Sequence, residues 1–577
     1  MRRRFWAVAL IAAFALIAAA CGGTATTTTT AAPGTTAATT TTAAPGTTAA
    51  TTTTAASGMK TIIIGTTDTI ASLDPADAYA TRDWELIKNT GEGLMKWVPG
   101  TADELVPGLA TAAPTVSDDG LTYTVTLKDG IKFGDGTDLT AQVYADSINR
   151  VLTIGPDCPN GVADALVTPY VQSVEAPDAN TVVFHLKQPV AYFPELLATG
   201  PYIPADPNIF PATECVLFPP APIYGVGPWY ISQYTQKEQV VLEPNPNYTG
   251  EYKPQVDQII VKYFSDPQTM SLALQNGEID VAWRFLGTEL ISELQDVPNL
   301  TVGTINGGAI RYLIINHTMA PFDDDNVRKA VASIIDRDAI SDTVYGGQVS
   351  PLYSQVPPGF LGANEAFDNQ YQSPNMQEAQ DYLTAAGYSA DSPLEIQLYY
   401  PPEHYGASTA QWMQVIQQQL ESTGMIKVTL ESVEWSTYVT SLTGGEAYPA
   451  GVLGWFFDYP DPSNYLEPFV YNGGEGTNVT EKAEGSPTGV GIDDKAQQLV
   501  DLLVQAASET DSAKRADLYG QAQDIYADLV VTLPLFFEPE HVVFADYIHG
   551  DPMYATPETL NIGPTIEFNY ALITTDK

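Results

Sequence analysis

Between Thr24 and Gly58 the chain has almost nothing to fold with. The unit Thr-Thr-Thr-Thr-Ala-Ala-Pro-Gly-Thr-Thr-Ala-Ala occupies 27–38, repeats at 39–50, and begins again at Thr51. It carries no charge and almost no bulky apolar side chain, so it cannot bury enough surface to offset the entropy of ordering. A flexible coil of this length spans roughly 30–35 Å, from about 5–6 Å times the square root of residue number. This tract therefore confines the folded body to about Lys60–Lys577. No second linker or long charge run interrupts that body. Its domains must pack closely or share strands.

The segment before the tract has a different chemistry. Met1-Arg2-Arg3-Arg4 is followed by an apolar run from Phe5 to Ile17, then Ala18-Ala19-Ala20 and Cys21. This is the layout of a cleaved secretion signal, short for a bilayer-spanning helix. Cys21 directly after the small residues resembles a bacterial lipobox. The resemblance implies cleavage before Cys21, a lipid on its thiol, and attachment to the outer face of the cell membrane. Alanine three residues before the cysteine is less typical than leucine. An ordinary signal peptide with an incidental cysteine is the alternative.

Charge and cysteine content narrow the function classes. With 25 basic and 69 acidic residues the formal charge is −44. Such a chain has no basic patch with which to grip phosphates, which excludes nucleic acid as a partner. The field favours cationic over anionic ligands, but solubility or salt adaptation, with no message about the ligand, is the plainer reading of it. Of three cysteines, acylation of Cys21 leaves Cys158 and Cys215. In an exported chain an even pair reads as a disulfide, with two buried thiols as the alternative. It would close a loop of about 58 residues and contribute on the order of 4 kcal/mol.

Patterning in the body mixes strands and helices, giving an α/β class. Thr61–Gly65 predicts a buried strand, and the alternating Leu121–Leu127 a half-buried one. Asn180–Leu186, Gln239–Leu242 and Gln258–Phe264 read as further strands. Helical spacing appears over Asp83–Trp97, Ala141–Leu152, Pro267–Asn276, Arg328–Ile340, Met376–Ala386, 407–423 and Asp494–Val530.

An ordered series of landmarks then suggests a family. Pro107-Gly-Leu-Ala110 leads to Ser117-Asp-Asp-Gly-Leu-Thr-Tyr-Thr-Val-Thr-Leu-Lys-Asp-Gly-Ile-Lys-Phe133, then Asp135-Gly136 and Leu139-Thr-Ala141. Gly225-Val-Gly-Pro-Trp-Tyr230, Asn245-Pro-Asn-Tyr248, Gln275-Asn-Gly-Glu-Ile-Asp280, Asn316, Pro321-Phe322 and Val327-Arg328-Lys-Ala330 follow in order. Trp455-Phe-Phe-Asp-Tyr-Pro-Asp461 and Thr532-Leu-Pro-Leu535 complete it. The series resembles bacterial extracellular solute-binding proteins of family 5, the peptide/nickel/oligopeptide-binding lipoproteins of ABC transporters. Gly134, where that family often has His, and Gln142-Val143, in place of an acidic pair, are departures.

The resemblance implies a two-lobed, hinged periplasmic-binding-protein fold (type II) with an enlarged first lobe. Residues 1–20 would be the signal peptide and 21–58 the lipidated tether. Residues 60–311 plus 535–577 would form the first lobe, and 312–534 the second. It also implies an oligopeptide-like ligand caught between the lobes by a monomer, and delivery to membrane permease subunits. Asp458 matches the family position that takes a peptide's α-amine; a turn residue is its plainer reading. Trp455 and Tyr459 would wall the pocket. Trp435 would lie at the cleft edge or in the core. Arg82 is a candidate for a ligand carboxylate, and Arg311 competes with it.

Enzyme motifs are missing: there is no His-Glu-x-x-His, Gly-x-Ser-x-Gly or phosphate loop. The five histidines are scattered and suggest no metal ligands, and no cofactor is expected. An oligosaccharide or other small-solute receptor on the same scaffold, an extracytoplasmic hydrolase and a surface adhesin are the competing functions.

Overall fold

The structure is a computed structural model and describes residues 58–577 apart from 100, 102–103, 285, 403, 407, 444–447, 471–493 and 551–567. Cys21, the signal segment and nearly all of the tether therefore lie outside the described residues. Cys158 and Cys215 form the disulfide, with Cα atoms 6.0 Å apart. Arg150 secures the same irregular region. It pairs bidentately with Asp74 at 2.7 and 2.6 Å and donates to the carbonyls of Pro211 and Glu214.

Among the described residues, one sheet of eleven strands runs through the body. Its order is Ile426–Ser432, Leu394–Tyr400, Ala450–Trp455, Leu300–Ile315, Thr532–Ala545, Val281–Trp283, Thr61–Thr66, Gln258–Tyr263, Gln239–Pro244 and Trp229–Thr235. Ser350–Pro351 pairs with Thr532–Ala545 off that path. The two central strands, Leu300–Ile315 and Thr532–Ala545, are antiparallel partners from Leu300 opposite Ala545 to Ile314 opposite Thr532. To one side Thr61–Thr66 is parallel to both Gln258–Tyr263 and Val281–Trp283. To the other, Leu394–Tyr400 is parallel to both Ile426–Ser432 and Ala450–Trp455. Parallel strands need cover on both faces, which explains the unbroken Ile62-Ile63-Ile64 run.

The apolar side chains sort into separate cores. Among the described residues, the buried members of the second-lobe core lie between Ile310 and Phe536. The first lobe holds three. Two flank its part of the large sheet, around Trp229 and Trp283 and around Met270 and Leu294. The third fills a small domain whose four-stranded sheet includes Thr122–Thr126 and Thr181–Leu186. Tyr123 and Val125 point into that core while their neighbours do not, as the alternation predicts. Thr140 caps the helix Ala141–Ile154 by accepting from the Val143 amide.

Several expected helices are shorter or divided. The helix expected over Asp83–Trp97 is Thr81–Thr90; Met95–Trp97 is instead a strand paired with Leu105–Pro107. The reason is a close backbone approach. The Gly227 amide donates to the Thr90 carbonyl at 2.8 Å. A Cβ at Gly225 would lie 2.1 Å from that carbonyl oxygen, and one at Gly227 2.6 Å from the Gly91 backbone. The stretch expected as Arg328–Ile340 is two helices, Asp325–Ile334 and Arg337–Tyr345. Asp336 restarts the second by accepting from the Ala339 amide. Asp511 does the same for Ser512–Leu529 after Asp494–Ser508, through the Lys514 amide. In each case a side-chain cap offers the backbone a better partner than continuing the helix. No helix among the described residues is long and apolar enough to cross a membrane.

Candidate ligand-binding cleft

Parallel strands of both lobes end at one place, and ligands of such sheets bind beyond the carboxyl ends of their strands. Asp68 follows Thr61–Thr66, Arg284 follows Val281–Trp283, and His404 and Tyr405 follow Leu394–Tyr400. Trp435 opens the helix after Ile426–Ser432, and Phe456 and Asp458 follow Ala450–Trp455. Arg311, Glu538 and Glu540 come from the two central strands.

The segment 455–459 touches three cores in turn. Trp455 and Phe457 belong to the second lobe, Phe456 packs against the first-lobe core around Trp229, and Tyr459 belongs to the small-domain core. Asp458 is thereby held where the lobes meet. Its Oδ2 accepts from Asn464 Nδ2 at 2.9 Å and from the Tyr79 hydroxyl, of the first lobe, at 3.3 Å. Asn464 Oδ1 accepts both the Asp458 amide at 2.9 Å and Trp455 Nε1 at 3.0 Å. Among the described residues no donor reaches Oδ1 of Asp458, and the residue is only half-buried. Burial raises its carboxyl from the ordinary carboxylate range to about 6, against the opposing pull of Asn464, Tyr79 and Lys88.

Trp455 is buried in the second-lobe core, edge-on against Phe469 at 5.2 Å, and its indole donates to Asn464. Tyr459 is buried, stacked on Tyr192 of the small domain at 5.3 Å. Trp435 is half-buried and lies face to face with His404, centroids 3.5 Å apart. Although His404 is exposed as a residue, desolvation of its ring against Trp435 and the nearby Arg311 charge push it down to about 4.

The arginines behave differently from the aromatics. Arg82 has no exposed surface: it donates to Thr66 Oγ1 at 2.9 Å and pairs with Glu85 inside the first lobe. In this conformation it does not face the cleft. Arg311 does, but its guanidinium is paired with Glu538 at 2.6 Å and lies 4.5 Å from the Tyr405 ring centroid. Arg284, which sequence reasoning missed, pairs with Asp68 at 2.8 Å and approaches Glu540 at 3.8 Å. Its only sequence signal is a basic residue at the end of a short apolar strand. Phe456 lies against both guanidiniums, at 5.2 Å from Arg284 and 5.8 Å from Arg311. Asp461 accepts from the Ser463 amide and also pairs with Arg515 at 2.7 Å. Among the described residues no three His, Cys, Asp or Glu side chains are placed to hold a metal ion.

Residues 104–477, well over half of the chain, match the family described as bacterial extracellular solute-binding proteins, family 5. The chain belongs to that family. Family 5 members are binding proteins rather than enzymes, and they act outside the cytoplasm. The oligopeptide-binding protein OppA of Bacillus subtilis is 28% identical over 513 residues, covering 84% of this chain and 89% of its own length. The periplasmic murein peptide-binding protein MppA of Escherichia coli is 26% identical over 504 residues, with the same coverage. In structure, DppA of Helicobacter pylori in complex with the peptide STSA superposes with a TM-score of 0.72 at 22% identity. It covers 90% of this chain and 98% of its own, and fixes the two-lobed periplasmic-binding fold.

Proposed function

We propose that this family 5 protein captures an oligopeptide-like solute by its free α-amine and delivers it to an ABC permease. The moving bodies are 60–311 plus 535–577 and 312–534. The chain acts as a monomer tethered through lipidated Cys21. The observation that carries the reading is Asp458, with one carboxylate oxygen held by Asn464 and Tyr79 and the other reached by no donor among the described residues. An ammonium group at that oxygen forms a charge-assisted hydrogen bond in a partly desolvated site. Trp435, with His404 stacked on it, and Tyr405 supply flat surface for side chains. Closure follows because the ligand contacts both lobes and so binds the closed state better.

Calorimetric titration with peptides bearing a free or an acetylated amino terminus tests this. Loss of binding on acetylation supports it, and equal binding of both forms overturns it. The Trp435–His404 shelf favours one other reading, a sugar stacked on the rings. Saturable binding of an oligosaccharide with no response to peptides would replace the peptide reading.

A further inference from the structure

A second contact between the lobes lies beside the Asp458 site rather than within it. Tyr192 belongs to the small domain of the first lobe and is buried. One face of its ring stacks on Tyr459 of the second lobe, 5.3 Å between centroids and 14° between planes. The guanidinium of Arg515, also from the second lobe, lies 5.6 Å from the same ring. The Tyr192 hydroxyl donates to Glu467 at 2.8 Å. One residue earlier, the Ala191 amide donates to the Ala507 carbonyl at 2.7 Å. Among the described residues beyond 310, Tyr459 and Ala507 join the small-domain core.

The residues around that ring are held by partners of their own. Arg515 is fixed by Asp461 at 2.7 Å, by the Ala506 carbonyl at 3.0 Å and by Tyr519 at 3.1 Å. Tyr459 is fixed by Ser463 at 3.1 Å. All of these partners belong to the second lobe. A rigid socket that closes on an aromatic ring with a buried hydroxyl partner has the make-up of an interface anchor. Tyr459 is also the residue next to Asp458, so seating Tyr192 fixes the backbone that presents the candidate amine site.

We infer that Tyr192 is a positioning residue for ligand capture: it seats in the Tyr459–Glu467–Arg515 socket on closure, holds the lobes together without touching the ligand, and slows ligand escape. The inference rests on the two-lobe capture reading, but its first test needs no ligand. Spin labels at Gln142 of the small domain and Gln497 of the second lobe, both exposed, report the interlobe distance in the full chain. Tyr192→Ala shifts the ligand-free distances toward a longer, open population. Trialanine with a free amine then dissociates about tenfold faster from that variant, the equivalent of one aromatic pair, with association little changed. Tyr192→Phe keeps the stack, loses only the bond to Glu467, and gives a smaller change of the same sign. Wild-type distances in Tyr192→Ala overturn the inference. If that variant does not fold, wild-type distances and dissociation in Tyr192→Phe overturn it. A distance shift in a protein that binds no free-amine peptide leaves the latch standing and removes the peptide reading instead.

Discussion

The two halves of the cleft treat charge in opposite ways. Around Asp458 a carboxylate is held by neutral donors, Asn464 and Tyr79, and among the described residues no donor reaches its other oxygen. Around the central strands the charges are already spent on each other: Arg311 on Glu538, and Arg284 on Asp68 and Glu540. Burial leaves Glu540 above the ordinary range even with Arg284 beside it. A group without a strong partner is ready to bind, whereas a paired group must first break its pair. On the proposed reading, the difference corresponds to a ligand gripped by its amine and only loosely discriminated at its carboxylate.

The largest expected effect breaks the first half. Asp458→Asn removes the charge but keeps the shape. We expect affinity for a free-amine peptide to fall by about 2–4 kcal/mol, measured by calorimetry, since a buried charge then lacks its partner. The same variant gains thermal stability at pH 7. A carboxyl raised to about 6 from 3.8 favours the folded state at low pH and loses that contribution as pH rises through this window. Removing it relieves the cost, a trade of stability for function. A lowered unfolding temperature would contradict this.

Next in size is the pH dependence of the unaltered protein. Below about 6 Asp458 takes up a proton that the ligand's ammonium must displace. Affinity is highest near pH 7, about tenfold weaker at pH 5, and falls again above about pH 8 as the peptide's α-amine loses its proton, as proton linkage requires. A profile flat from pH 5 to 8 would separate Asp458 from binding.

Asn464→Ala should follow. It strips two hydrogen bonds from the Asp458 residue and one from Trp455 Nε1. Unsatisfied buried groups of this kind cost about 1–3 kcal/mol, read as lower stability together with weaker peptide binding. The smallest effect probes the other half. Amidating the peptide's carboxyl terminus should change affinity by less than about threefold, because a guanidinium already paired gains little from a new anion. A loss above that range would show that Arg311 or Arg284 changes partners on binding.

Much of the fold was readable along the chain. The alternation of Leu121–Leu127, the apolar run at Ile62–Ile64 and the Gly225-Val226-Gly227 landmark each encode a local requirement: a half-buried strand, a strand covered on both faces, a backbone that must approach another. The disulfide was readable because the cysteine count left one pairing once Cys21 was set aside. Helix limits were less readable. Asp336 and Asp511 look like any helix-compatible acids until their side chains are seen to cap the next helix. Asp458 was reached through its motif, whereas Arg284 was not. A lone arginine carries no periodic or motif signal, and its neighbours Asp68 and Glu540 lie hundreds of residues away in one direction or the other.

By itself, the sequence determined where a folded body could exist, its α/β class, its family and the carboxylate to examine first. Each follows from local composition, spacing or ordered landmarks. Only the tertiary structure decided which charges remain available. Arg82 and Arg311 are chemically alike in the chain, yet one is enclosed in the first lobe and the other faces the cleft, already paired. Tyr192 and Tyr459 are ordinary tyrosines until folding places one against the other across two lobes. Availability of a charge and contact between lobes depend on distance in space, and distance in space is what the fold alone sets.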